Sequence, residues 1–139
     1  MNDKKNVKET VLAAAILICS ICLCAGAKLV FHACGPKEDG SYMACHWAEQ
    51  AIFGIGCAMT AISVFLIAVR NRGMKRGLAL SLLPCGAVCA LIPNILIKLC
   101  MMTEMRCHTV MRPAAVIFGL ITAVLGTVYA VICKEEKKD

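Results

Sequence analysis

Two short motifs in this sequence combine the three side chains that bind soft metal ions. The stretch MACH at residues 43–46 recurs as MRCH at residues 105–108, so methionine, cysteine and histidine repeat with the same spacing. Thioether, thiolate and imidazole together favour Cu(I), and thiolate with imidazole also suits zinc. The repeat therefore permits a copper or zinc site as one alternative, for which the candidate ligands are Met43, Cys45, His46, Met105, Cys107, His108 and the nearby His32.

The cysteines around the two motifs permit two other chemistries. In an oxidising compartment, cysteines in short loops usually form disulfides that tie those loops down. Alternatively, a thiol beside histidine or arginine has a lowered pKa and can take part in thiol–disulfide exchange. Four cysteines allow three pairings, and the sequence does not choose among them. The disulfide or redox candidates are Cys34, Cys45, Cys100 and Cys107.

The elements that must position these residues are membrane-spanning helices. Hydrophobic residues make up 60% of the chain and charged residues 17%, which is outside the range of soluble domains. A helix that crosses a bilayer needs about 20 mostly apolar residues, and its backbone must satisfy its own hydrogen bonds. We therefore predict an all-α membrane protein with one domain over residues 1–139 and spans at about 10–31, 50–70, 78–99 and 113–133.

The positions of the basic residues predict how the four spans are oriented. Ten of the 15 Lys and Arg residues lie before the first span, in the turn RNRGMKRG at 70–77, or after the fourth span. Such a bias in short loops marks the cytoplasmic side. We expect a multi-pass protein of the bacterial cytoplasmic membrane with both termini inside, outer loops at 32–49 and 100–112, and an inner loop at 71–77. The net charge of +6 then reflects topology, so no nucleic-acid partner is expected.

The first span has an alternative interpretation as a signal peptide. Lysines precede an apolar run, and Ala25-Gly26-Ala27 fits the small-residue pattern of a cleavage site. Cleavage there would leave three spans. Because the apolar run continues through Leu29-Val30-Phe31, we expect an uncleaved helix.

The chain divides into two similar helical hairpins joined by the basic turn. Lys28-Leu29 and Lys98-Leu99 end spans one and three, while IFG occurs at 52–54 and again at 117–119, near the starts of spans two and four. Repeats with an even number of spans keep the same orientation and are related by an axis along the membrane normal. We predict a four-helix bundle of two tandem hairpins with this pseudo-two-fold symmetry, which would bring both motifs to one surface.

The remaining cysteines lie within or at the ends of the spans. A thiol in an apolar environment behaves as a small hydrophobic side chain, and a thiolate is costly to form there. We expect packing rather than chemistry from Cys19, Cys22, Cys24, Cys57, Cys85, Cys89 and Cys133.

Two polar features of the spans have structural interpretations. Pro84 and Pro93 should kink the third helix, and Asn94 is expected to repair the hydrogen bonding there. Glu49 has two interpretations. It could hold the His46 imidazole in place, or it could be the polar start of the second span.

The layout of four helices, inner termini and one cysteine pair in each outer loop resembles that of the bacterial disulfide-forming quinone oxidoreductases and, more loosely, vitamin K epoxide reductase. Those families use Cys-x-x-Cys near the outer surface, whereas the spacings here run from Cys34 to Cys45 and from Cys100 to Cys107. The resemblance implies a membrane thiol–disulfide oxidoreductase as an alternative function.

A closer resemblance covers most of the chain. The patterns HAC at 32–34, MACHW at 43–47 and MRCH at 105–108 resemble a family of small bacterial membrane proteins catalogued as a domain of unknown function. The resemblance implies that the outer face is the distinguishing surface. We expect a binding or accessory protein rather than an enzyme, embedded in the lipid bilayer, with a larger transporter or permease subunit as a candidate partner.

Overall fold

Four long helices make up most of the protein. The computed structural model describes residues 2–30, 35–99, 104 and 107–135, except for the side chains of 2, 107, 134 and 135. The helices are α1 (Asn2–Leu29), α2 (Ala44–Ala68), α3 (Arg72–Leu91) and α4 (Arg112–Glu135). Two π-helical turns, π1 (Ile92–Leu96) and π2 (Cys107–Met111), continue α3 and precede α4. The described residues contain no strand, which confirms the prediction of an all-α four-helix bundle.

The helices are long and apolar enough to cross a membrane. Spanning segments extend over Asp3–Leu29, Ala44–Ala68, Arg72–Leu96 and His108–Cys133, and only about a third of each is buried inside the bundle. Large apolar side chains such as Ile18, Phe65 and Val124 are exposed on the outer surface. An apolar exterior of this extent suits lipid rather than water, so the chain is a multi-pass membrane protein.

The bundle consists of two antiparallel hairpins. In the first, Ser20 lies near Ser63 and Lys28 contacts Glu49, so α1 and α2 run in opposite directions. In the second, α3 packs on α4 with Gly86 against Gly119. Contacts of α1 with α4 and of α2 with α3 join the hairpins. A two-fold axis between the hairpins would exchange these last two contacts, and the predicted symmetry stays a prediction.

The two ends of the bundle differ in what they carry. At one end, here called the motif end, α1 and α3 finish while α2 and α4 begin, and the described residues of both Met-x-Cys-His copies lie there. At the opposite end, Glu9 near the start of α1 lies 4.0 Å from the Lys75 ammonium near the start of α3. A Lys28–Glu49 ion pair of 3.0 Å joins α1 to α2 at the motif end. Ion pairs therefore tie different helices together at opposite ends of the apolar core.

Small residues allow the closest approach between α3 and α4. A Cβ at Gly119 would lie 2.7 Å from the Gly86 carbonyl oxygen, and one at Gly126 would lie 2.8 Å from the Ala79 carbonyl oxygen. Helices in lipid gain most of their association from such close van der Waals packing. The α3–α4 contact thus depends on glycine at these positions.

The buried hydroxyl groups are satisfied within the membrane by the helices that carry them. Ser20 donates to the Ile16 carbonyl at 2.8 Å, Ser63 to the Met59 carbonyl at 2.7 Å, and Thr122 to the Phe118 carbonyl at 2.7 Å. Because lipid supplies no alternative partner, such bonds remove the cost of burying a hydroxyl group. The described residues contain no buried side-chain nitrogen or oxygen that lacks a partner.

Asn94 repairs the irregular end of α3, as predicted. Pro93 cannot donate a backbone hydrogen bond, and the chain continues from there as the π turn Ile92–Leu96. Asn94 Nδ2 donates to the Ala90 carbonyl at 2.7 Å, and Asn94 Oδ1 accepts from Arg112 Nε at 2.7 Å. The amide therefore also connects the end of α3 to the start of α4, which the sequence did not indicate.

We expect Asn94→Ala to lower the free energy of unfolding by about 1–2 kcal/mol, because it removes both hydrogen bonds at this junction. Ser81→Ala is the matched control, since the Ser81 hydroxyl donates only within α3, to the Leu78 carbonyl. Denaturant titration in detergent, followed by circular dichroism, measures both variants. Equal effects of the two substitutions would contradict a bridging role for Asn94.

Candidate functional site

The first motif lies at the start of a helix rather than in a loop. The sequence predicted an outer loop to residue 49, whereas α2 begins at Ala44 with Met43 as its N-cap, and the Met43 carbonyl accepts a hydrogen bond from the His46 amide. The residues Cys45, Ala48, Glu49 and Ile52 are all buried and recur at helical spacing. This buried stripe shows that α2 begins about two turns before residue 50, where the uncharged segment used to predict the span starts.

Cys45 and His46 point in different directions. Successive residues on a helix are rotated by about 100°, so neighbours do not share a face. Cys45 is completely buried in the bundle, whereas His46 is half-buried and stacks on Tyr42 with ring centroids 4.2 Å apart. Trp47 meets His46 edge-on at 5.8 Å and is 63% exposed. We call Tyr42, His46 and Trp47 the aromatic cluster.

A tight turn leads into the aromatic cluster. The Lys37 amide donates to the Ser41 carbonyl at 3.0 Å, and the Gly40 amide donates to the Lys37 carbonyl at 2.9 Å. Gly40 has a φ of +76°, a backbone conformation that glycine adopts without strain. The turn returns the chain to α2, so that Tyr42 can lie against His46.

The second motif is only partly within the described residues. His108 is half-buried in the π turn Cys107–Met111, and Met111 is buried in the core. The candidate residues His32, Cys34, Cys100 and Met105 lie outside the described residues, as does the side chain of Cys107. The predicted ligand set and the predicted pairing of the outer cysteines therefore stay predictions.

The two motif copies begin helices that occupy diagonal positions. Because α2 packs on α1 and α3, while α4 packs on α3 and α1, the starts of α2 and α4 lie across the bundle from each other at the motif end. Within the described part of the chain, no three His, Cys, Asp or Glu side chains are grouped as a metal site. Seven of the cysteines in the spans are free thiols, namely Cys19, Cys22, Cys24, Cys57, Cys85, Cys89 and Cys133.

An ion pair lies one turn below the aromatic cluster. Lys28 Nζ donates to Glu49 Oε1 at 3.0 Å and lies 5.2 Å from the centre of the Phe53 ring. Glu49 is only 7% exposed, while the Lys28 side chain is partly open to the surroundings. A buried carboxylate needs such a partner, and a cation over an aromatic ring gains further stabilisation. Glu49 thus fixes α1 against α2 beneath the first motif.

Below this ion pair, two thiols face each other across the α1–α2 contact. The Sγ atoms of Cys24 and Cys57 are 3.3 Å apart. They line an apolar groove of about 460 Å³, which also includes Lys28, Phe53 and Thr60. The sequence analysis treated both cysteines as packing residues. Their spacing in the sequence does indicate shared helix faces, because residues three or four apart are neighbours on a helix. This spacing relates Cys24 to Lys28 on α1, and Phe53, Cys57 and Thr60 to one another on α2.

The opposite end of the bundle holds a smaller polar cluster. Glu9 and Lys75 line a cavity of about 50 Å³ together with Thr10 and the buried Tyr129. This cavity has the volume of one or two water molecules. It is therefore too small to be the main binding site of the protein.

The family model for a domain of unknown function, DUF4418, matches residues 16–132. This range includes the second half of α1, all of α2 and α3, α4 up to residue 132, and both Met-x-Cys-His copies. No curated protein and no solved structure matches the chain.

Proposed function

This chain belongs to the DUF4418 family, a domain of unknown function, and we propose that it is a binding or accessory protein of the bacterial cytoplasmic membrane. In this proposal the motif end faces the outside, and both termini lie in the cytoplasm. The distribution of Lys and Arg supports this orientation, because the basic segment 70–77 lies at the end opposite the motifs, in the short connection after α2 and the first turns of α3.

The exposed aromatic cluster is the observation that carries the proposal. Tryptophan and tyrosine at the end of a membrane helix suit the membrane–water interface, and both are also enriched in protein interfaces. Trp47 is 63% exposed and Tyr42 is 53% exposed. His46 stacks on Tyr42 and meets Trp47 edge-on. The stack holds these large rings in place without burying them, which lowers the entropic cost of binding.

A larger membrane protein, such as a transporter or permease subunit, is the partner that we propose. The lipid-facing surfaces of the spans are apolar and the described connections are short, so most of the surface available to a partner lies in the membrane and at the motif end. The structure offers small helix residues, such as Gly54 on the lipid-facing side of α2, for close contact with another span.

The outer cysteines and methionines form a cap in this proposal. We propose that Cys34, Cys45, Cys100 and Cys107 tie the outer loops together as disulfides. The alternative for the same residues is soft-metal binding, with copper or zinc held by the two Met-x-Cys-His copies. Cys45 is buried in the bundle, which weighs against an exposed metal site at the first copy.

Counting thiols and metal on protein purified anaerobically in detergent separates these two roles of the cap. Two disulfides per chain and no bound metal are expected for a structural cap. Metal bound in a whole-number ratio, with the outer cysteines reduced, would contradict the structural cap and support ligation instead.

Site-specific photo-crosslinking in the native membrane tests the accessory role. A photoreactive phenylalanine analogue in place of Trp47 should give a discrete adduct with another membrane protein. The same analogue in place of Phe65, which is also about 60% exposed but lies in the apolar part of α2, is the matched control. His46→Ala should reduce the Trp47 adduct at least several-fold by releasing the stack. No adduct at Trp47, or the same adducts at both positions, would contradict the proposal.

A further inference from the structure

We propose that the end of the bundle opposite the motif end is a binding surface for anionic phospholipids, which it recognises by their phosphate groups. This surface, here called the basic end, consists of residues 2–9 at the start of α1 and residues 70–76, which lead into and form the first turn of α3. The inference depends on the placement of the helices in a membrane. It does not depend on the accessory role proposed above.

The two ends of the bundle differ in charge. Among the described side chains, the motif end carries four basic and four acidic residues. The basic end carries two acidic residues, Asp3 and Glu9, of which Glu9 is buried and lies 4.0 Å from the Lys75 ammonium. Most of the positive charge at the basic end is therefore not balanced by acidic side chains of the described residues. The seven basic residues of this surface are Lys4, Lys5, Lys8, Arg70, Arg72, Lys75 and Arg76.

The length of α1 places its first two turns at the depth of the lipid headgroups. The helix has 28 residues, so it is about 42 Å long, whereas the hydrocarbon core of a bilayer is about 30 Å thick. The uncharged residues 10–27 alone extend over about 27 Å. Residues 2–9 therefore project beyond the hydrocarbon, where Lys4, Lys5 and Lys8 are exposed. Three ammonium groups thus lie at the level of the lipid phosphates.

The start of α3 brings further positive charge to the same depth. Because Glu9 lies beside Lys75, the third turn of α1 and the first turn of α3 are at one level of the bundle. Lys8 precedes this pair on α1 and is exposed, while Arg76 follows it on α3 and is half-buried. Clusters of about four to eight Lys and Arg directly beyond a membrane helix are typical of anionic-lipid binding.

Exposed apolar side chains among the basic residues favour a phospholipid over a soluble anion. Val7 and Val11 on α1 are each 60% exposed, and Met74 on α3 is 58% exposed. A soluble acidic molecule would leave these side chains without an apolar partner. A phospholipid satisfies both kinds of group, because its phosphate binds Lys and Arg while its upper acyl chains contact the aliphatic side chains.

Native mass spectrometry of the full chain released from detergent micelles measures this preference. We expect dioleoyl phosphatidylglycerol to bind with an apparent dissociation constant at least ten-fold lower than that of dioleoyl phosphatidylcholine, which has the same acyl chains. Raising the ammonium acetate concentration from about 0.1 M to about 0.5 M should reduce the preference at least three-fold, because salt screens exposed charges. Glycerol 3-phosphate in ten-fold excess should not displace phosphatidylglycerol, since it has no acyl chains.

A combined variant of α1 tests the charge at the start of this helix. Lys4→Gln, Lys5→Gln and Lys8→Gln together should reduce the preference for phosphatidylglycerol at least five-fold. Replacing the same three lysines by arginine keeps the positive charge and should keep the preference. Circular dichroism of each variant checks that its helix content matches that of the unmodified protein.

A second variant tests the contribution of the α3 side. Arg70→Gln with Arg76→Gln should reduce the preference at least three-fold, and it decides the question if the glutamine variant of α1 does not fold. Lys37→Gln with Lys98→Gln is the matched control, because it removes two exposed positive charges from the motif end. The control should retain the preference of the unmodified protein.

Three results would overturn the proposal. Equal binding of the two lipids would leave the basic residues with a role in orientation alone. An equal loss of preference in the motif-end control would show that net charge matters and the basic end does not. Full displacement by glycerol 3-phosphate would assign the surface to a soluble phosphate. None of these results bears on the photo-crosslinking at Trp47, so failure of this inference leaves the proposed accessory function standing.

Discussion

Gly119→Val should destabilise the bundle by about 3 kcal/mol, one of the two largest effects that we expect from a single substitution. The Cβ of the new side chain would lie 2.7 Å from the Gly86 carbonyl oxygen, and it would also meet Cys89 and Ala90 on α3. Backbone cannot move aside as a flexible side chain can, so α3 and α4 must separate. In lipid, separated helices lose the close packing that holds them together.

Gly54→Val is the control for this prediction. A Cβ at Gly54 meets nothing within 4 Å, and the residue is exposed on the surface of α2. The change in intrinsic helix propensity is the same for both substitutions, so the difference between them isolates the packing effect. We expect Gly54→Val to stay within about 0.5 kcal/mol of the unmodified protein. Denaturant unfolding in detergent, followed by circular dichroism, provides the measurement, and similar losses for both variants would contradict the α3–α4 contact.

The second large effect is expected from Lys28→Met. Removing this ammonium takes away the 3.0 Å ion-pair partner of Glu49, a carboxylate that is only 7% exposed. Breaking a buried pair by removing one partner typically costs about 3–5 kcal/mol. Because the Lys28 side chain is partly exposed, we expect the lower end, about 3 kcal/mol. The loss should concentrate at the contact between α1 and α2.

A double variant distinguishes loss of the ion pair from loss of the lysine side chain. Glu49→Gln removes the carboxylate charge that Lys28 neutralises, so Lys28→Met with Glu49→Gln should recover at least half of the lost stability. Lys8→Met, at an exposed position on α1, should have no measurable effect. Strictly additive losses from the Lys28 and Glu49 substitutions would show that the pair contributes no coupling energy.

The fold was largely predictable because lipid imposes simple rules on sequence. Four long apolar segments are enough to indicate four helices. A helix pairs all of its own backbone groups, whereas an unpaired backbone is not stable in a bilayer. The ends of those helices were less predictable. The second span was predicted to begin at residue 50, because the uncharged segment begins there. In the structure α2 begins at Ala44, and its first two turns bury Cys45, Ala48 and Glu49. Burial of an acidic residue at a helix end depends on a partner from another helix, which sequence periodicity does not reveal.

The contacts at the candidate sites depend on the register between helices. Cys24 and Cys57 are far apart in sequence, and the length of a connecting loop does not determine which residues of two packed helices meet. Gly56 sets this register by admitting the backbone of α1 at Cys24. The same argument applies to Lys28 with Glu49. In contrast, the stacking of His46 on Tyr42 joins residues only four apart in the chain, so it depends on local structure and not on the register between helices.

The proposed function depends most on one proposed feature, namely that both Met-x-Cys-His copies lie at one end of the bundle and face the outside of the cytoplasmic membrane. Insertion of a short epitope into the chain, followed by antibody binding to intact spheroplasts, tests this directly. Epitopes after Gly40 and after Glu104 should both be detected without permeabilisation, whereas one after Arg70 should be detected only after the membrane is opened. Detection of the Gly40 and Glu104 epitopes on different sides of the membrane would contradict the account.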